Sequence, residues 1–157
     1  MTHCPHCGCD LQPEKGKPRS VEQLRRFFGM LRAMYRHWPE TAEFQPESEE
    51  ALRKWVLIKA GHKDTTDIAV PFADDQPGLT RLVAVSVEAC VRGAGGYAFI
   101  RPHPDGGLLR VFKAKSIAFN QLGQAEFNAL NDAVETAYAQ ETGLDPEQVL
   151  KQTEQAA

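Results

Sequence analysis

A chain of 157 residues fits one domain with a real core and room for a small appendage. Its composition is ordinary for a globular protein, with 42% apolar and 25% charged residues. No apolar run approaches the roughly 20 residues that span a bilayer. The N-terminus is polar and Cys-rich rather than a signal peptide, so the expected location is the cytoplasm, with no membrane partner. The net charge of −3 excludes a chain that is basic as a whole, but its charges are segregated. Seven basic residues stand between Lys15 and Arg36 against Glu22 alone. Six stand between Arg81 and Lys115 against Glu88 and Asp105, and from Ala118 onward seven acids face only Lys151. Such segregation allows a basic face on an acidic protein.

Residues 1–18 read as a Cys-rich arm and linker ahead of a single α+β domain, 19–157. Three of the four cysteines fall within six residues, Cys4 to Cys9. That is too close to staple a fold, and in a reducing compartment such clusters are metal ligands or redox thiols. Cys4-Pro5-His6-Cys7-Gly8 has the spacing of a zinc-knuckle half-site: two thiolates two residues apart meet one tetrahedral ion, and the glycine lets the chain turn. Cys9 supplies a third ligand. The fourth is left among His3, His6, His62, His103, Cys90 and a partner chain. A structural Zn²⁺ held by Cys4, Cys7, Cys9 and His6 is the expected cofactor.

Ser20, with Gln23 three residues on, forms a capping box that opens the first helix. Val21, Leu24, Phe27, Phe28, Leu31, Met34, Tyr35 and Trp38 recur at helical spacing before Pro39 ends it. Glu22, Arg25, Arg26, Arg32 and Arg36 occupy the opposite face. Phe28, Leu31 and Trp38 are expected in the core with Phe127 and Leu130. Ser48 caps a second helix through Leu52, Trp55, Val56 and Ile58, with Glu49 and Glu50 at the positive end of its dipole and Gly61 as the residue after its end.

Residues 62–80 read as loop with a short strand within Ile68–Phe72. Leu82–Val91 fits either a strand, from the alternation of Val83, Val85 and Val87, or a helix. Cys90 reads as a small core residue. Tyr97–Arg101 and Leu108–Phe119 read as two strands joined by the turn signal Pro102-His103-Pro104-Asp105-Gly106-Gly107. A further helix runs from about Gln124 to Thr142 and ends at Gly143. Asp145-Pro146-Glu147-Gln148 opens the last one. The expected architecture is therefore α+β, three to four helices packed on a small antiparallel sheet, with the metal-knuckle arm in front.

No catalytic constellation stands out. Gly93-Ala94-Gly95-Gly96 lacks the Lys-Ser/Thr of a phosphate loop and precedes a strand. His62, Asp64 and Asp67 have the residue types of a divalent-metal nuclease, but at a spacing that loops produce by chance. Cations interleaved with aromatics are more informative, because single-strand binders use cations for phosphates and rings for bases. One such run is Arg25 to Trp38. The other joins Phe99 and Arg101 to Arg110, Phe112, Lys113 and Lys115 across the hairpin turn. The expected nucleic-acid contacts are Arg25, Arg32, Arg101, Arg110 and Lys113, with pairing to the acidic C-terminal segment as the competing use of those charges.

Arg19-Ser20-Val21-Glu22-Gln23-Leu24-Arg25 resembles the motif that opens the long helix of the NinB/Orf family of phage recombination mediators. His37-Trp38-Pro39, Gly61-His62, Lys115-Ser116-Ile117-Ala118-Phe119 and Glu126-Phe127 resemble a group of uncharacterised phage proteins, over about residues 19–150. The mediator resemblance implies single-stranded DNA binding, cooperation with a host single-strand-binding protein, a homodimer, and a bacterial host cell. The Cys-rich arm is extra to that family, and residues 40–100 do not match it. The function expected is a non-catalytic accessory of phage recombination or replication that binds single-stranded DNA. The alternatives are a module that binds or inhibits a host protein and, behind it, a metal-dependent nuclease.

Overall fold

Ser20 caps the first described helix. Its hydroxyl accepts from the Gln23 amide at 3.1 Å, and the Gln23 side chain accepts from the Ser20 amide. In the computed structural model, which describes residues 20–69, 77–93, 98–102, 108–118 and 122–156, this box opens α1, Val21–Arg36. There follow α2 (Glu49–Lys59), β1 (Lys63–Ala69), α3 (Pro77–Gly93), β2 (Ala98–Pro102), β3 (Leu108–Ala114), α4 (Gln124–Thr142) and α5 (Pro146–Gln155). The predicted capping chemistry holds at α2 and α5 too. The Ser48 hydroxyl accepts from the Ala51 amide, and the Asp145 carboxylate accepts from the Glu147 amide. Gly61 and Gly143 take positive φ, 86° and 71°, where a side chain would be strained.

The α+β class stands, with five helices among the described residues rather than three to four. The extra one is α3. The half-buried residues Leu79, Val83, Val87 and Val91 recur every four positions along it, and α3 packs on β2. The valine alternation that suggested a strand is real but subordinate to that four-residue period. Cys90 is exposed on α3, not in the core. The sheet has three strands in the order β1-β3-β2, all antiparallel. Its third strand is Lys63–Ala69, earlier and more polar than the short strand expected at Ile68–Phe72.

The core lies between α1, α2, α4 and α5. Phe27, Met30, Leu31 and Met34 meet Leu52, Trp55 and Val56, and Phe127, Leu130, Val134, Tyr138 and Val149 complete the cluster. Phe44, in the loop between α1 and α2, stacks on Trp55 at 5.0 Å between centroids. The Trp38 indole N–H donates to the Phe44 carbonyl at 2.7 Å and fixes that loop. Leu31, Phe127 and Leu130 are buried as expected, whereas Trp38 is half-buried. Phe28 departs from expectation, with 39% of it exposed at the edge of the α1 stripe.

Candidate nucleic-acid interface

The exposed Phe28 overlooks a groove of about 1040 Å³ between the helices and the end of the sheet. Leu24 and Phe28, one turn apart on α1, form one wall. Arg53, Lys54 and Leu57 of α2 form another. The left-handed turn at Gly61 then brings His62 and Asp64 to the groove, opposite Lys113–Ala118 at the end of β3. Two hydrogen bonds pin these segments together. The Lys115 amide donates to the His62 carbonyl at 3.1 Å, and His62 Nε2 lies 3.2 Å from the Ser116 carbonyl. A carbonyl only accepts, so that nitrogen carries the hydrogen.

Four lysines and arginines line the groove against one carboxylate, Asp64, among the described residues. Internal pairing accounts for part of the charge. Glu50 takes both Arg53 and Lys54, the latter at 3.1 Å. Partial burial raises the Glu50 carboxyl, but the hydrogen bonds and charges of Arg53 and Lys54 outweigh it and hold the group below the usual carboxylate range. Glu50 is therefore ionised at neutral pH and partly neutralises both cations. Lys115 lies 3.6 Å from Asp64. Lys113 is exposed and has no ion-pair partner among the described residues.

The expected contact residues divide into two groups. Lys113 lines the groove. Arg32 sits in an adjoining hollow of about 150 Å³, which Phe28 and Arg53 share with the groove, and it lies 3.6 Å from Glu49. Arg25 is exposed, three positions before Phe28 on α1. The other two lie on the sheet, on neighbouring strands as expected, and the register places Arg101 opposite Arg110. Arg110 makes two bonds to Asp67 on β1, at 2.9 and 3.1 Å. Its internal partner thus comes from the neighbouring strand rather than the acidic C-terminal segment. That segment instead takes Arg26, through Glu147.

The metal ligands expected in the arm, Cys4, Cys7, Cys9 and His6, lie outside the described residues. Among the described residues no group of three or more His, Cys, Asp or Glu side chains is placed to hold a metal ion. Asp64 and Asp67 are three apart on a strand and so leave it on opposite faces. Asp64 goes to the groove and Asp67 to Arg110.

Arg53 and Lys54 were not singled out by the sequence; Phe28 and Lys115 stood in its cation–aromatic runs without being among the expected contacts, and His62 was read as a metal-ligand or nuclease candidate. The pair Arg53-Lys54 is visible in the sequence, but its position facing α1 is a property of the packing. No helix among the described residues is long and apolar enough to cross a membrane. Compared with known proteins, the chain matches no family model, no curated protein and no solved structure.

Proposed function

We propose that the groove binds single-stranded nucleic acid, with Phe28 stacking on a base and Lys113, Lys115, Lys54 and Arg53 meeting phosphates. The carrying observation is the exposed aromatic ring set among cations at the mouth of the groove. An exposed ring flanked by ammonium and guanidinium groups suits a flexible polyanion with planar bases, and a base-paired duplex hides the faces such a ring would stack on. In this reading the protein is a non-catalytic accessory, and the resemblance to recombination mediators gives it a setting in phage recombination or replication alongside a host single-strand-binding protein.

The test is an anisotropy titration against single- and double-stranded oligonucleotides at two salt concentrations, with Glu50→Gln as its second arm. The wild type should prefer single strands and weaken steeply with salt. Glu50→Gln removes the carboxylate charge beside Arg53 and Lys54, so affinity should rise about two- to threefold and the salt dependence should steepen. The stability cost should be about 1 kcal/mol, the upper end for surface pairs, because Arg53 and Lys54 are only 25% and 21% exposed while Glu50 is 52% exposed. Binding that is absent, or indifferent to salt, would sink the reading.

A second reading, a surface for a host protein, has its own observation. Leu82 and Val85, one turn apart on α3, are 62% and 56% exposed. A chain that ignores oligonucleotides but loses capture of a host protein on Leu82→Asp would favour it.

Zinc in the N-terminal arm stands as a proposal on the Cys4, Cys7 and Cys9 spacing. Elemental analysis of protein purified without chelator should find about one zinc per chain, falling to a small fraction of that in a Cys4→Ser, Cys7→Ser variant. Metal far below one equivalent in the wild type would refute it.

A further inference from the structure

Among the described side chains, one face of β3 is buried and the other is more open. Along β3, Leu109 and Val111 are buried, while the alternating residues Arg110 and Phe112 are half-exposed. Three aligned strands carry the open face. The register sets Phe99 opposite Phe112 and Arg101 opposite Arg110, with Asp67 and Thr65 opposite the same two β3 positions on the other side. The register row of Phe99 and Phe112 thus lies beside that of Arg101 and Arg110, in which Arg110 is bonded to Asp67. The Lys63 ammonium stands 4.1 Å from the centre of the Phe112 ring, so a cation already occupies the ring face on which a base would stack.

This open face adjoins the groove. Lys63 follows His62 in the chain and pairs in register with Ala114, and both His62 and Ala114 line the groove. Phe112 is two residues before Ala114, about 7 Å along the strand.

We propose that the open sheet face is a second stacking platform for the same single strand, with Phe112 as its base-stacking ring. The strand leaves the groove over the hydrogen-bonded junction of His62 with Lys115 and crosses β3. Lys63 swings from the ring to a phosphate as a base takes its place. Arg110, held flat by its two bonds to Asp67, flanks the path as a positioned donor. The inference rests on the groove reading and extends it: the groove alone accounts for a short segment, and the sheet face lengthens the site. Charge selects the occupant, because the face presents cations beside aromatic positions rather than a continuous apolar surface.

The test uses the full chain and an oligothymidylate length series, from roughly 5 to roughly 15 nucleotides, within the range of single-strand site sizes. In the wild type, affinity should climb with length beyond what the shortest oligomer gives. Phe112→Ala should remove most of that gain, roughly tenfold at the long end, and leave the shortest oligomer bound as before. Phe28→Ala should weaken every length. Phe112→Leu keeps most of the packing volume without a ring and should behave as Phe112→Ala does, and Phe112→Tyr should restore the gain. A folded Phe112→Leu protein with wild-type length dependence would overturn the second platform, while loss in Phe28→Ala would leave the groove standing. Failure of the wild type to bind any length would overturn both. An oligouridylate series distinguishes RNA from DNA as the source of the strand.

Discussion

Phe27→Ala is expected to lower folding stability by about 3–5 kcal/mol, as large aromatic truncations in cores do. Its neighbour Phe28→Ala should cost no more than about 1.5 kcal/mol, the range of a single aromatic pair. The two residues are adjacent on α1 and have the same side chain, so the difference isolates burial. Phe27 is 1% exposed, and its ring meets Phe127 edge-on at 5.4 Å between centroids. Phe28 is 39% exposed and keeps one edge contact, with Phe27, at 5.8 Å. Truncating Phe27 opens a cavity where α1 meets α4. Truncating Phe28 enlarges a groove that is already open to water. Urea unfolding of both variants measures the pair through a shift in midpoint at constant slope. A larger loss in Phe28→Ala would mean that α1 turns a different face to the core, and Phe28 would cease to be a candidate for base stacking.

The same pair marks how far the sequence could be read. The apolar stripe of α1 is wide, because Leu24, Phe27, Phe28, Leu31, Met34 and Tyr35 cover more than a third of the helix circumference. Periodicity identifies such a stripe but not which edge overhangs the core. The helix and its start were legible because they are local: the Ser20 capping box needs only Gln23 three residues on. Gly61 and Gly143 were legible for the same reason, since a positive φ after a helix is a demand that glycine meets best.

Elements that depend on distant partners were not legible. Lys63–Ala69 has four exposed residues in its middle and no apolar alternation. It is a strand because β3 offers it a ladder, and its charges suit an unpaired sheet edge. In α3 two periods coexist, the two-residue alternation of its valines and the four-residue recurrence from Leu79 to Val91. Packing on β2 decides between them. That Arg101 and Arg110 stand on neighbouring strands followed from the turn signal between them, whereas their pairing in register did not. Nor did the acid that claims Arg110, because Asp67 is 43 residues away in the chain and comes beside it only when β1 joins the sheet.

Reversing two charges at the mouth of the groove should have the largest effect on binding. In the double variant Lys113→Glu, Lys115→Glu, single-strand affinity is expected to fall on the order of 100-fold at moderate salt. Each lost phosphate contact removes about 0.7 from the slope of log affinity against log salt, so the double variant should be flatter by about 1.4. The introduced carboxylates add repulsion to the lost attraction, which makes reversal more severe than truncation. Folding should be nearly unaffected. Lys113 has no ion-pair partner among the described residues, and the contact of Lys115 with Asp64 is between half-exposed side chains, worth at most about 1 kcal/mol. The matching reversal on the sheet, Arg110→Glu, sets a carboxylate against Asp67 and should lower the melting temperature as well, so it is the poorer probe of binding. Affinity and slope measured across a salt series, beside a melting curve, separate the cases. A flattened slope with unchanged melting places phosphates at Lys113 and Lys115. An unchanged slope in a folded double variant would remove the β3 wall from the interface and leave Arg25, Arg32 and Arg53, around Phe28, as the remaining path for a strand.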